Sequence, residues 1–240
     1  MKTKAIFNWS GGKDSTLALY DVRQEEKFDI VSLMTTISSG AQRITMHGVR
    51  RELLLEQCKS IGLPVREVEL PEQPSMKAYD EIMLKEMKAF AEKGVTHSIF
   101  GDIFLEDLRA YREEKLKEAG LKGCFPLWRK DTDKLVREFI NLGFKAIVVC
   151  VNAGLLDREH VGRPLDRDFL TNLPKDVDPC GENGEFHTFV YDGPIFSAPV
   201  SFKTGERVTK EYPAPTNDTS SSVSESVKPV GFHFCDLFLA

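Results

Sequence analysis

Short apolar runs alternate with amphipathic segments through the first half of this chain. Ala5 to Trp9 is an apolar run that stops abruptly at Ser10-Gly11-Gly12, and Lys13 to Gln24 follows with helical spacing. Ile30 to Thr36 reads as a second strand. The stretch from about Thr45 to Ile61 reads as a helix, with Val49, Leu53, Leu54, Cys58 and Ile61 near one face, and Val65 to Leu70 alternates as a third strand. From Ser75 to Lys93, Met76, Tyr79, Met83, Met87 and Phe90 recur at three and four residues, the spacing of one core-facing helix stripe. Val95 to Phe100 is a fourth strand ending in Gly101-Asp102, and a charge-rich helix, Leu105 to Ala119, comes next. Strands alternating with helices predict βαβ units, hence an α/β fold with a parallel sheet and right-handed crossovers.

The pattern breaks at Gly123-Cys124-Phe125-Pro126-Leu127-Trp128, whose apolar residues suit packing between domains. A boundary is expected there, giving domains of 1–123 and 124–240. The second half predicts a helix from Asp131 to Leu142 with Asp131 or Thr132 as its N-cap, and a strongly apolar strand from Phe144 to Val151. A short helix around Asp166 to Leu173, a loop from Pro174 to Asn183, and a strand from Glu185 to Tyr191 follow. One or two strands within Val200 to Tyr212 and a closing strand, Gly231 to Leu239, complete it. Pro213 to Pro229 is rich in Ser, Thr and Pro and reads as a loop or excursion. More strands than helices make this a smaller α+β domain.

Composition narrows the class. Of the 240 residues, 41% are hydrophobic and 29% charged, ordinary for a globular protein. No apolar run approaches the roughly 20 residues of a membrane span, and the N-terminus reads as a first strand rather than a signal peptide. The five cysteines are scattered with no CxxC pair, so neither zinc nor a dithiol motif is indicated, and reduced thiols in the cytoplasm are expected. A net charge of −5 disfavours a broad nucleic-acid surface.

The candidate chemistry lies first in Ser10-Gly11-Gly12-Lys13-Asp14-Ser15. A buried strand, a glycine turn and a helix start form a site for phosphate: the glycines let backbone approach an anion, and helix amides and dipole point at it. Ser10 and Ser15 add hydroxyls, Lys13 a charge, and Asp14 a carboxylate for Mg²⁺ or its waters. A Walker A loop would need Gly at position 7 and Ser or Thr at position 14, where this chain has Phe7 and Asp14. In a parallel sheet the ligand sits beyond the carboxyl ends of the strands, which adds Met34 to Ile37 and Gly101-Asp102. Arg109 or Arg112 can meet a phosphate or a carboxylate there. A second cluster, Cys180-Gly181-Glu182-Asn183-Gly184-Glu185-Phe186-His187-Thr188, crowds acids, a histidine and a threonine around a glycine turn. Glu182 and Glu185 can bind Mg²⁺, orient ammonium or act as a base; the plain alternative is a turn leading into a strand with exposed polar residues. His47 stands alone at a helix start, where a cap or a surface role is the plain reading.

The SGGxDS run resembles the PP-loop of the N-type ATP pyrophosphatases, which cleave ATP between the α and β phosphates. With the Met46-His47-Gly48 element, Gly101-Asp102, Arg112-Glu113, Pro126-Leu127-Trp128 and Gly181 to Thr188, nearly the whole chain resembles the diphthine–ammonia ligase family. It departs from that pattern at Asp102 and Leu108-Arg109. The resemblance implies a Rossmann-like HUP domain followed by a smaller family-specific domain. It also implies an AMP-forming ligase that uses ATP and Mg²⁺ to adenylate a carboxylate and passes ammonia to it. Ser10, Gly11, Gly12, Lys13, Asp14, Ser15, Thr35 and Gly101 would hold the nucleotide, with Asp14 on the metal. Lys13, Asp14, Glu182 and Glu185 would carry the catalysis. Arg112, His47, Glu182, Glu185 and His187 would face the substrate. The implied acceptor is a modified histidine of elongation factor 2 if the source is archaeal or eukaryotic. Competing readings are a PP-loop enzyme acting on another small molecule or on tRNA, and a nucleotide-binding sensor without turnover.

Overall fold

A computed structural model of the chain describes residues 2–40, 42–44, 48–212 and 230–240. The first apolar run becomes strand β1, Thr3–Asn8, and the segment after the glycines becomes helix α1, Lys13–Glu25. Strand β2, Phe28–Ser38, lies beside β1 and carries β4, Val65–Leu70, on its other edge. On the far side of β1 lie β5, His97–Ile99, and then β6, Lys122–Cys124. All five strands run parallel. A two-residue strand, β3, Arg43–Ile44, pairs antiparallel with the end of β2. The order β4-β2-β1-β5-β6 follows from building outward from β1 in one direction and then in the other. The reversal lies between β1 and β5, and the crevice beyond their carboxyl ends is where ligands bind in such sheets.

Period-two alternation sends side chains to opposite faces. Ala5, Phe7, Leu33, Ile37 and Ile99 join one buried cluster with α1 and with α2, Arg51–Ile61. Ile6, Met34, Val68, Leu70 and Phe100 join another, covered by Met87 and Phe90 of α3, Met76–Glu92, and Leu116 of α4, Glu106–Glu118. Local signals fix the helix ends. Ser75 Oγ accepts from Ala78 N at 3.2 Å to cap α3, and Gly62, at φ +76°, closes α2 with its N–H on Cys58 O.

The second half forms a four-stranded antiparallel sheet in the order β8-β7-β10-β9. Its strands are β7, Lys145–Asn152, β8, Phe186–Asp192, β9, Phe202–Tyr212, and β10, Val230–Leu239. Helix α5, Thr132–Asn141, is capped by Asp131 Oδ1 on Lys134 N at 3.0 Å, and α6, Arg167–Thr171, by Asp166 on Phe169 N at 2.8 Å. Phe139, Val148, Phe169, Phe186 and Phe189 belong to the same buried cluster as β1, α1 and α2. The layer of α1 and α2 therefore packs between two sheets, and this brings β8 onto the glycine loop.

Several expectations are corrected. Met76 is 65% exposed, because α3 begins at that residue; the stripe is partly buried from Tyr79 and buried only at Met87 and Phe90. The second helix starts at Arg51, with Val49 buried but outside it; residues 45–47, including His47, lie outside the described residues. The Pro213 to Pro229 segment also lies outside them. Strands β3 and β6 were not foreseen, since two or three residues leave no alternation to read. No described helix is long and apolar enough to cross a membrane.

Candidate active site

The loop after β1 is built from its backbone. Asn8 Nδ2 donates to Ser98 Oγ at 2.7 Å and to Ile99 O at 2.9 Å, which ties the end of β1 to the end of β5. Gly11 has φ +79°, a left-handed turn that glycine enters freely. Helix α1 then starts at Lys13 with Gly12 as a cap that brings no side chain. Ser10 Oγ and Ser15 Oγ lie 3.0 Å apart, and Ser15 Oγ also donates to Gly12 O at 3.0 Å, so the two hydroxyls close the turn. Gly101 presses on the helix start. A Cβ there would lie 2.9 Å from Asp14 C and from Ser15 N, so only glycine allows this approach.

The second half reaches into this loop. Thr188 Oγ1 accepts from Lys13 N at 3.1 Å, and Val190 N donates to Gly11 O at 2.9 Å. Lys13 is 4% exposed. Its ammonium lies 2.7 Å from Asp14 Oδ2, donates to Cys180 O, and sits 5.3 Å over the Phe186 ring. Burial alone would lower the Lys13 pKa, but Asp14, Cys180 and Glu182 around it hold it above the ordinary value, so the group is charged.

The acids of the second cluster divide. Glu185, 2% exposed, accepts from Asp178 N at 3.1 Å and Asn183 Nδ2 at 2.9 Å on one oxygen, and from Asn183 N at 2.9 Å on the other. It fastens its own turn. Glu182 leaves that turn and crosses to the end of β5, where its Oε1 accepts from Ile103 N at 2.7 Å and Phe104 N at 3.4 Å. Burial pushes the Glu182 carboxyl up to about 7; the Ile103 bond and Lys13 oppose this, and the charges of Asp14 and Asp102 add to it. Asp102 is itself raised, by burial, despite its partner Arg112. Arg112 Nε lies 2.8 Å from Asp102 Oδ2, a charge contact without hydrogen-bond alignment, while its Nη2 donates to Oδ1 at 3.3 Å; the guanidinium stacks 4.4 Å over Phe100.

Lys13, Asp14, Glu182, Asp102 and Arg112 thus form one electrostatic cluster at the reversal of the sheet. His187, on β8, is held down to about 4 by burial and by Lys13 nearby. Thr35, on β2, is 3% exposed, and its hydroxyl has no hydrogen-bond partner among the described residues. Arg109 is engaged elsewhere, with Glu113 at 2.9 Å and over Trp128 at 4.5 Å. For Mg²⁺ the donor set is lean: among the described residues no group of three or more His, Cys, Asp or Glu side chains is arranged around a metal. Asp14 alone at the loop fits an ion held mostly by substrate phosphates and water. Sequence reasoning missed Gln57, Asp178 and the loop contact of Thr188. Gln57 had a signal, since it is a polar residue on the otherwise apolar face of α2.

Comparison with known proteins bears on the family. Residues 1–123 match the model of the diphthamide synthase N-terminal domain, and residues 131–213 that of the diphthamide synthase C-terminal domain. A diphthine–ammonia ligase of Bos taurus is 33% identical over 129 residues, covering 51% of this chain and 48% of that protein. One of Schizosaccharomyces pombe is 38% identical over 88 residues, 35% of this chain and 14% of that one. The Homo sapiens protein is 32% identical over 128 residues, 51% and 48% respectively. Each match spans less than half of the relative. Among solved structures, the U34-tRNA thiolase of Methanococcus maripaludis, with its iron–sulfur cluster, is 15% identical. It covers 59% of this chain and 58% of that one at a TM-score of 0.38, too low to carry an argument. With its N-terminal half matched throughout and most of its second half besides, this chain belongs to the diphthamide synthase family.

Proposed function

We propose that this chain is an ATP-dependent ammonia ligase that forms AMP and pyrophosphate. The observation that carries the reading is the fastening of two clusters far apart in sequence: Lys13 on Cys180 O, and Glu182 on Ile103 N. A loop suited to phosphate and a carboxyl with a pKa near neutrality then belong to one electrostatic cluster.

ATP lies with its phosphates on the loop. The Gly12 amide and the Ser10 and Ser15 hydroxyls bind them, the Lys13 amide being taken by Thr188, and Gly101 gives the room for close approach. The Lys13 charge stabilises negative charge that builds up as the bond between the α and β phosphates breaks. The orphaned hydroxyl of Thr35 and the end of β2 suit the base. Mg²⁺, held by Asp14 and the phosphates, would supply charge neutralisation. An oxygen of the acceptor carboxylate attacks the α-phosphorus and pyrophosphate leaves. Ammonia then attacks the acyl carbon, AMP leaves, and the proton shed by the nitrogen passes to Glu182. Arg112 and His187 stand on the acceptor side, and Glu185 keeps the turn that carries Glu182. The acceptor would be diphthine, the modified histidine of elongation factor 2, where the source makes it. The domain carrying the loop would be residues 1–123, with 124–240 selecting the acceptor, in the cytoplasm.

Asp14→Ala tests the nucleotide part. Release of AMP and pyrophosphate should fall on the order of 10²-fold, and added Mg²⁺ should recover only part of it. Wild-type rates in that variant would sink the role of Asp14.

A further inference from the structure

Gln57 is fully buried on α2, among Leu53, Leu54, Cys58 and Ile61. A polar side chain in such a seat persists only when its hydrogen bonds are made. Its Nε2 donates to Gly11 O at 3.0 Å and to Val190 O at 2.6 Å, and its Oε1 accepts from Trp9 Nε1 at 2.8 Å. One amide therefore holds the residue before the glycine loop, the loop itself, and strand β8. Val190 N adds a second bond to the same Gly11 carbonyl at 2.9 Å. A Cβ on Gly11 would meet Gln57 Oε1 at 2.8 Å, so the fit leaves no slack.

The consequence lies in the peptide plane. A trans peptide carries its N–H opposite its C=O. With the Gly11 carbonyl held inward by Gln57 and Val190, the Gly12 N–H must point the other way, toward Ser10 Oγ, 3.3 Å distant, and the phosphate side of the loop. Without Gln57 the Gly11 carbonyl keeps only its Val190 bond, and the Gly11–Gly12 peptide, between two glycines, turns more readily to present that carbonyl to an anion.

We propose that Gln57 is the positioning residue of the nucleotide site: it fixes the Gly11–Gly12 peptide with its N–H toward phosphate and ties that orientation to strand β8 of the second sheet. The inference rests on the ATP-binding part of the function proposed above. It deepens that part, because the loop is then completed by the half of the chain that would hold the acceptor.

The test is the dissociation constant for ATP, read by titration calorimetry on the full chain carrying Gln57→Met or Gln57→Glu, each checked for folding by circular dichroism. Gln57→Met should weaken ATP binding roughly 10- to 100-fold, the cost of losing a bond to a charged group. Gln57→Glu keeps the size and can donate to the Gly11 or Val190 carbonyl only while protonated. Its ATP affinity should therefore recover as pH falls when measured relative to the Met variant at the same pH. A purely structural Gln57 would lower the melting temperature and leave the ATP affinity of the folded protein unchanged. Unchanged affinity in both folded variants overturns the proposal and leaves the ligase reading intact. Wild-type protein that binds ATP but forms no AMP rejects the ligase reading, with Gln57 still judged by the same affinities. Wild-type protein that does not bind ATP overturns both.

Discussion

In the proposed mechanism, Glu182 is the residue on which the chemistry turns. Its carboxyl is pushed up to about 7, by burial first and by Asp14 and Asp102 besides. A base works only once deprotonated, so turnover at saturating ammonium should rise with pH through about 7 and then level. Glu182→Gln should lose that rise and roughly 10²-fold in rate, measured as AMP release across pH 5 to 9. The same shift has a sign for stability. The unfolded carboxyl releases its proton near 4.5 and the folded one near 7, so between them the native state binds the extra proton. Stability contributed here falls as pH rises through that window, and Glu182→Gln should flatten the slope in urea denaturation. At this scale the contiguous loop, Ser10 to Ser15, was legible because six adjacent residues carry their own geometry. Thr188 and Gln57 were not, because their loop partners lie 175 and 46 residues away and only the packed fold brings them together.

The turn from Asp178 to Glu185 is the element that carries Glu182 to the loop. Glu185 holds it with three N–H donors from Asp178 and Asn183. Glu185→Ala should cost about 3 kcal/mol by chemical denaturation, the scale of hydrogen bonds to a buried charge. It should also lower AMP release, because Glu182 loses its anchor. Unchanged stability would contradict the role given to Glu185. Element prediction succeeded where patterns were long. The alternation of Val65 to Leu70 became β4 at those bounds, and Asp131 caps α5 as its position suggested. It failed where elements are short or where an end decides: β3 and β6 are too brief to show a period, and Met76 fits the helical stripe by spacing yet sits at the exposed helix start. Even so, β6 completes the sheet edge beside β5.

Across the whole molecule, one buried cluster runs from Phe7 and Leu33 through Leu54 of α2 to Phe139, Val148 and Phe189. Neither sheet covers the α1 and α2 layer alone. Thermal unfolding should therefore be a single cooperative transition, with calorimetric and van't Hoff enthalpies equal; two separate transitions would show that the halves are stabilised independently. The sequence made the parallel sheet of the first half readable through its alternation of strands and helices. How the second sheet lies against it was not readable, since no local pattern records which face of α1 meets β8. That contact joins the glycine loop to the Glu182 turn, and it is what makes the site a candidate for ligation rather than nucleotide binding alone. The most direct measurement follows the nitrogen: the protein is incubated with ATP, Mg²⁺, isotope-labelled ammonium and diphthine-bearing elongation factor 2. Nucleotides are quantified and the acceptor is weighed by mass spectrometry. The account predicts one AMP and one pyrophosphate for each labelled amide formed. ADP and phosphate as the products, or an acceptor that gains no labelled nitrogen while AMP accumulates, would contradict it.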